Sequence, residues 1–154
     1  MPDSVAFQSA FHIRPSTSAD MDALVAVARA CFGASAWGAP HFAPHPARVI
    51  HIADRPERPC TAYSVLELAA DQAELQAIAV LPEWRRQHAG SALIEAANRA
   101  AIERGARTMF LEVRESNALA QNFYRRFGFT VCGRRPGYYR LPEEAALVMS
   151  LALG

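Results

Sequence analysis

The stretch from residue 75 to residue 113 constrains this chain more than any other. It reads as a strand up to Leu81, a break at Pro82, a loop through Gly90, a helix over Ser91–Arg104 and a second strand over 107–113. The helix carries Leu93, Ile94, Ala97, Ala101 and Ile102 at helical spacing, and Gly105 stands just past its end as a C-cap. A strand–helix–strand crossover makes the two strands parallel neighbours and directs any ligand to their carboxyl ends. The second strand, Thr108–Val113, reads apolar on both faces, as suits an interior position.

Antiparallel elements are expected around this unit. A short strand, Phe11–Arg14, ends at Pro15, and a helix follows over Ser18–Phe32 with Ser18 as N-cap. Leu24, Val27, Ala28, Cys31 and Phe32 form its apolar stripe. Residues 38–48 read as a weak helix or loop, and Val49–Ala53 as a strand. Thr61–Leu68 and Glu74–Leu81 read as a hairpin about residues 69–73. A helix over Ala118–Phe127 presents Leu119, Phe123 and Phe127 on one side. Two final strands, 129–134 and 145–153, flank a loop holding Pro136 and Pro142. The expected architecture is α/β: a mixed, mostly antiparallel sheet of six to seven strands, with a central parallel pair and helices on both faces.

At 154 residues and 51% hydrophobic, the chain suffices for one domain, 1–154, with its own core, and is too apolar for disorder. No apolar run reaches the roughly 20 residues that span a bilayer, and the N-terminal stretch lacks a signal-peptide pattern, so a cytoplasmic location is expected. Cys31, Cys60 and Cys132 are too few and too scattered for a disulfide framework or a zinc site, and read as buried small hydrophobes. The histidines lack ligand spacing with Cys or Asp, so no metal is expected. No pattern specifies an oligomeric state.

All 16 positive charges are arginine. Residues 1–81 carry a net −3, residues 82–140 a net +6 and the remainder −2. A basic middle third inside a neutral chain suits a discrete anionic ligand better than nucleic acid, which selects basic domains. Arginine without lysine is also what genome composition alone would produce.

The loop Pro82–Gly90 ends at a helix N-terminus, where successive backbone N–H groups make an anion cradle that Arg85 and Arg86 reinforce. Taken alone, it reads equally as a solvated turn. Arg85-Arg-Gln-His-Ala-Gly90 nevertheless resembles the R/Q-x-x-G-x-G/A signature of the GNAT (Gcn5-related) N-acetyltransferases, and Leu111-Glu-Val-Arg-Glu-Ser-Asn117 follows at that family's distance. Within the family the chain is most similar to the RimI type, the ribosomal-protein-alanine N-acetyltransferases. Ile78-Ala-Val80, Gly137-Tyr-Tyr139 and Glu143-Glu-Ala145 carry that likeness. One position departs from it: His88 stands where the first motif glycine is expected.

The resemblance implies acetyl-CoA as cosubstrate. Backbone groups of Ile78, Ala79 and Val80 would face its acetyl and pantetheine parts. Residues Arg85, Arg86, Gln87, His88, Ala89, Gly90 and Ser91 would hold its pyrophosphate, and Asn117 its pantetheine arm. Glu112 would be the general base and Tyr124 the general acid toward the departing thiolate, while Trp37, Tyr138 and Tyr139 would wall a peptide slot. The residues themselves leave other readings open. A carboxylate in MFLEV needs either a partner, such as Arg114, or a job. Tyr124 suits an amphipathic helix, and the three slot aromatics suit core or rim packing equally well.

Acceptor chemistry narrows the expectation. At pH 7 an α-amine with a pKa of about 7.8 is roughly 15% free base, whereas a lysine amine at about 10.4 is roughly 0.04%. One carboxylate is ample for the first and strained for the second. The expected function is acetyl transfer to a primary amine, foremost the N-terminal α-amine of a protein or peptide, by direct attack. A small-molecule amine, a lysine side chain, or a binding module without turnover are the alternatives; neither nucleic acid nor a membrane is an expected partner.

Overall fold

The computed structural model describes residues 10–154. Residues 1–9, part of the stretch read as lacking a leader pattern, lie outside the described residues. In chain order the elements are β1 (His12–Pro15), α1 (Met21–Phe32), β2 (Arg48–Arg55), β3 (Arg58–Ala69), β4 (Gln72–Val80), α2 (Ala89–Glu103), β5 (Thr108–Arg114), α3 (Ala118–Arg126), β6 (Thr130–Arg140) and β7 (Glu143–Ala152). The strand order is β1-β2-β3-β4-β5-β7-β6, seven strands in a mixed, mostly antiparallel sheet. Strands β4 and β5 form the expected parallel pair, with Gln72, Ala73 and Glu74 opposite Thr108, Met109 and Phe110.

The chain divides into two compact units: residues up to Val65 with Ala77–Ala97, and Leu66–Gln76 with Asn98–Gly154. In the first, Leu24, Val27 and Ala28 of α1 pack against Ile50, Ile52, Tyr63, Val65, Ala79 and Leu81. Burying each large aliphatic side chain contributes about 1.5–3 kcal/mol. A second cluster joins Phe11, Ala53, Ala62, Ala89 and Leu93, with Ile78 and Val80 packed on it. Alternate residues of β4 thus feed two different cores. Arg14 ties β1 to its surroundings: its two terminal nitrogens each donate to Asp20 at 2.8 Å and its Nε to Asp54 at 2.6 Å.

In the second unit, β5 alternates. Met109, Leu111 and Val113 are buried, while Thr108, Phe110, Glu112 and Arg114 are only partly so. The expectation that β5 is apolar on both faces therefore holds for one face. Strand β7 runs antiparallel to β5 with Leu111 opposite Met149 and Glu112 opposite Val148, and β6 lies beyond it.

Several sequence expectations are corrected. Phe32, Ile102 and Leu119 are exposed. Each lies in the first or last turn of its helix, where packing neighbours run out. Thr17 rather than Ser18 precedes the first helical turn, and its N–H donates to Asp20 at 2.7 Å. Only Cys60 is a buried cysteine; Cys31 is half-buried, and Cys132 is exposed on terminal strand β6. The loop expected between the strands 129–134 and 145–153 is instead hairpin, with β6 running to Arg140 and β7 starting at Glu143. Pro136 is tolerated because β6 is a terminal strand and departs from regular pairing between Arg135 and Tyr139.

Candidate active site

In the first unit, β4 ends at Val80 and the chain turns through a short helical segment, Pro82–Trp84. Arg86 and His88 then take φ of +60° and +71°, in the left-handed region. His88 so adopts a conformation that a motif glycine would reach freely, and histidine enters this region more readily than most residues. Helix α2 follows at once. Its Ala92 N–H donates to the His88 carbonyl at 3.1 Å, which leaves the amides of Ala89, Gly90 and Ser91 outside the helical ladder. Those amides and the positive end of the helix dipole suit an anion, and exposed Arg86 adds a permanent charge beside them.

Arg85 is engaged differently. Its Nε donates to the Val80 carbonyl at 2.9 Å, and the Cys31 thiol donates to the same oxygen at 3.4 Å. Burial pushes the Cys31 thiol up from its ordinary value, keeping it protonated and able to donate. Ile78, Ala79 and Val80 commit their side chains to the two cores, so a ligand at this strand would meet their backbone. Trp37 stacks on His41 at 5.1 Å and meets the edge of Phe42 at 5.8 Å.

In the second unit, the Glu112 side chain is 17% exposed and pairs with Arg135, Nε to Oε1 at 3.2 Å. Arg114, the partner expected from the sequence, instead lies over the Tyr139 ring at 4.2 Å and donates to the Pro142 carbonyl. The Glu112 carboxylate also acts on Tyr138 and pushes its phenol up to about 12. Glu112, Arg135, Glu74 and Glu67 line a cavity of about 380 Å³ with Phe110 and Val148. Desolvation, then repulsion from Glu112 and Glu67, pushes the Glu74 carboxyl up, and Arg135 opposes this.

Helix α3 supplies the other two residues. Its N-cap is Asn117, whose side-chain oxygen accepts from the Ala120 N–H at 3.1 Å. Tyr124 packs edge-on to Phe123 and Phe129, and burial pushes its phenol up to about 12. Ser116, just before the cap, donates to Glu144. The segment that carries Asn117 is thereby tied to the start of β7.

Sequence reasoning missed Arg135 and Glu74. A signal for Glu74 existed in the alternation Gln72, Glu74, Gln76 along a strand, which marks one polar face. Arg135 had none, because its neighbour Arg134 is chemically identical; Arg134 pairs with Glu115 at 2.9 Å.

Comparison with known proteins bears on the family and the fold. Residues 44–129 match the model of the Acetyltransferase (GNAT) family. The [ribosomal protein bS18]-alanine N-acetyltransferase of Escherichia coli (strain K12) is 37% identical over 94 residues, which is 60% of this chain and 64% of that protein's length. The crystal structure of the ribosomal-protein-S18-alanine N-acetyltransferase from Escherichia coli superposes with a TM-score of 0.85 at 28% identity, covering 94% of each chain. A nourseothricin acetyltransferase structure follows at 0.80 and 25%, covering 94% of this chain and 99% of its own. With more than half of its length matched by the family model and the fold shared with these neighbours, the chain belongs to the GNAT acetyltransferase family.

Proposed function

We propose that this chain is an acetyl-CoA-dependent N-acetyltransferase whose acceptor is the N-terminal α-amine of a protein or peptide. The observation that carries the acceptor class is the double likeness, in sequence and in structure, to enzymes named as ribosomal-protein-alanine N-acetyltransferases. An acceptor of that kind places the reaction in the cytoplasm. The free amides of Ala89, Gly90 and Ser91 with Arg86 beside them suit the pyrophosphate of acetyl-CoA, and the cosubstrate supplies an activated acetyl thioester. The backbone of Ile78, Ala79 and Val80 would hold its acetyl and pantetheine end, and Asn117 the pantetheine arm.

In this reading the acceptor nitrogen forms a bond to the thioester carbonyl carbon and the carbon–sulfur bond breaks. Glu112 takes the proton released by the amine, through a water. Tyr124, which keeps its proton across the working range, gives one to the departing thiolate. Trp37, Tyr138 and Tyr139 would bound the acceptor slot. Residues 1–154 act as one catalytic domain in this scheme.

The test is thiol release from acetyl-CoA with two acceptors: a peptide with a free N-terminal alanine, and the same peptide N-blocked with an internal lysine. The proposal expects turnover of the first alone, and Glu112→Gln should lower kcat by about 10²- to 10³-fold with acetyl-CoA affinity unchanged. Turnover of the blocked peptide in place of the free one would overturn the acceptor. Full activity in Glu112→Gln would overturn the base.

A further inference from the structure

We propose that Arg135 is a positioning residue for the reaction: it holds the Glu112 carboxylate in place on the acidic wall of its cavity. The inference rests on the reading of Glu112 as the base, and starts from strand register. Along β5 and β7, Glu112 lies opposite Val148, and Val148 lies opposite Gly133 of β6. Cys132 is an extra residue in β6, since Val131 faces Met149 and Gly133 faces the very next residue, Val148. Such a bulge shifts the alternation of everything after it. Without it Arg134 would lie opposite Ala146, which is paired to Arg114, and would share the face of Glu112. With it Arg135 takes that place.

The result is a closed set of contacts. Arg135 Nε stands 3.2 Å from Glu112 Oε1, and its guanidinium lies 5.7 Å from the centre of the Tyr138 ring. Tyr138 is a second β6 neighbour of Glu112, whose carboxylate pushes its phenol up to about 12. The carboxylate is therefore held by an ion pair to β6, a strand that β7 separates from β5. Glu74 of β4 and Glu67 of β3 face the same cavity; Tyr139, on which the Glu112 charge also acts, has Arg114 over its ring. Arg135 is the cation among the cavity-lining residues, facing three carboxylates. A cation beside a carboxylate favours its charged form, and like charges disfavour it. Arg135 opposes the rise that desolvation, Glu112 and Glu67 impose on the Glu74 carboxyl.

The experiment is a double-mutant cycle with pH profiles, using Arg135→Gln, Arg135→Lys, Glu112→Gln and the double variant. The acetyl-CoA-induced rise in melting temperature serves as the control for folding. The expected result has four parts. Arg135→Gln lowers kcat with KM for acetyl-CoA unchanged. It also moves the acid limb of the kcat/KM profile to higher pH by about one unit, tenfold in proton affinity. Arg135→Lys recovers part of both effects, and Arg135→Gln adds nothing in the Glu112→Gln background. An unmoved acid limb together with additive losses in the cycle would overturn the inference while leaving Glu112 as base. Full activity in Glu112→Gln would instead remove the base reading on which it stands.

Discussion

Arg85 donates to the carbonyl of Val80 at 2.9 Å, across the turn that separates β4 from α2. The two adjacent arginines of the loop are therefore not equivalent. Both are exposed, but Arg85 is tied to the strand end, whereas Arg86 stands at a positive φ. In the proposed reaction, charge-assisted contact with a pyrophosphate would fall to Arg86. Arg86→Ala is expected to weaken acetyl-CoA binding by about tenfold, with a shallower dependence on salt. Arg85→Ala is expected to change affinity less than threefold. Isothermal titration at two salt concentrations reads both, and equal losses would show that Arg85 leaves Val80 to bind the ligand.

His88 at φ +71° offers a second separation, of strain from contact. A non-glycine residue there carries a backbone cost that glycine escapes, partly offset by the greater freedom of glycine in the unfolded chain. His88→Gly is expected to raise unfolding free energy by about 0.5–1 kcal/mol while cofactor affinity stays within threefold, because the loop already has its shape. Denaturant melts and titration together check this. A tenfold loss of affinity would assign the imidazole to the ligand instead.

The legible part of the molecule was that in which neighbouring residues decide the outcome. Pro82 ending a strand, Gly105 ending a helix and the apolar spacing of Leu93, Ile94 and Ala97 together dictate the β4–α2–β5 crossover, and the structure has it. The candidate base and its partner were legible only in part. Glu112 announces itself as a carboxylate in an apolar strand, but its cation depends on a one-residue bulge at Cys132, two strands away. Register of that kind is set by long-range pairing, and it decides between two identical arginines that no local pattern distinguishes. The hairpin about Leu141 was hidden for a related reason. Pro136 and Pro142 punctuate a sequence locally, yet the pairing of Tyr139 with Glu144 and Arg140 with Glu143 continues the ladder past Pro136.

Tyr124 yields a prediction about the alkaline side of catalysis. Burial pushes its phenol up to about 12, so it stays protonated well above the range in which the acceptor amine titrates. The pH profile of kcat is accordingly expected to show no basic limb below about pH 10. Tyr124→Phe should lower kcat by about 10²-fold with KM for the acceptor unchanged. Stopped assays across pH 7–10 check both statements. A basic limb near pH 8.5 that disappears in Tyr124→Phe would mean that the phenol titrates in the working range.

Stability toward acid is expected to depend on Asp20. Its carboxyl accepts both terminal nitrogens of Arg14 at 2.8 Å, and the Thr17 N–H at 2.7 Å. Above all the hydrogen bonds from Arg14 hold it well below the usual carboxylate range. A carboxyl whose affinity for protons is lower in the folded state stabilises the fold at every pH above its unfolded value of about 3.9, and that contribution fades as acid protonates it. At pH 7, Asp20→Asn removes one half of a partly buried, bidentate pair and leaves Arg14 with Asp54 alone, at a cost of about 2 kcal/mol. The gap between the two proteins should stay constant from pH 7 to about pH 5 and narrow steadily below pH 4. Urea denaturation at a series of pH values measures it. A gap that widened in acid would reverse the sign of the linkage and show that the Arg14 pair does not hold the Asp20 carboxylate in solution.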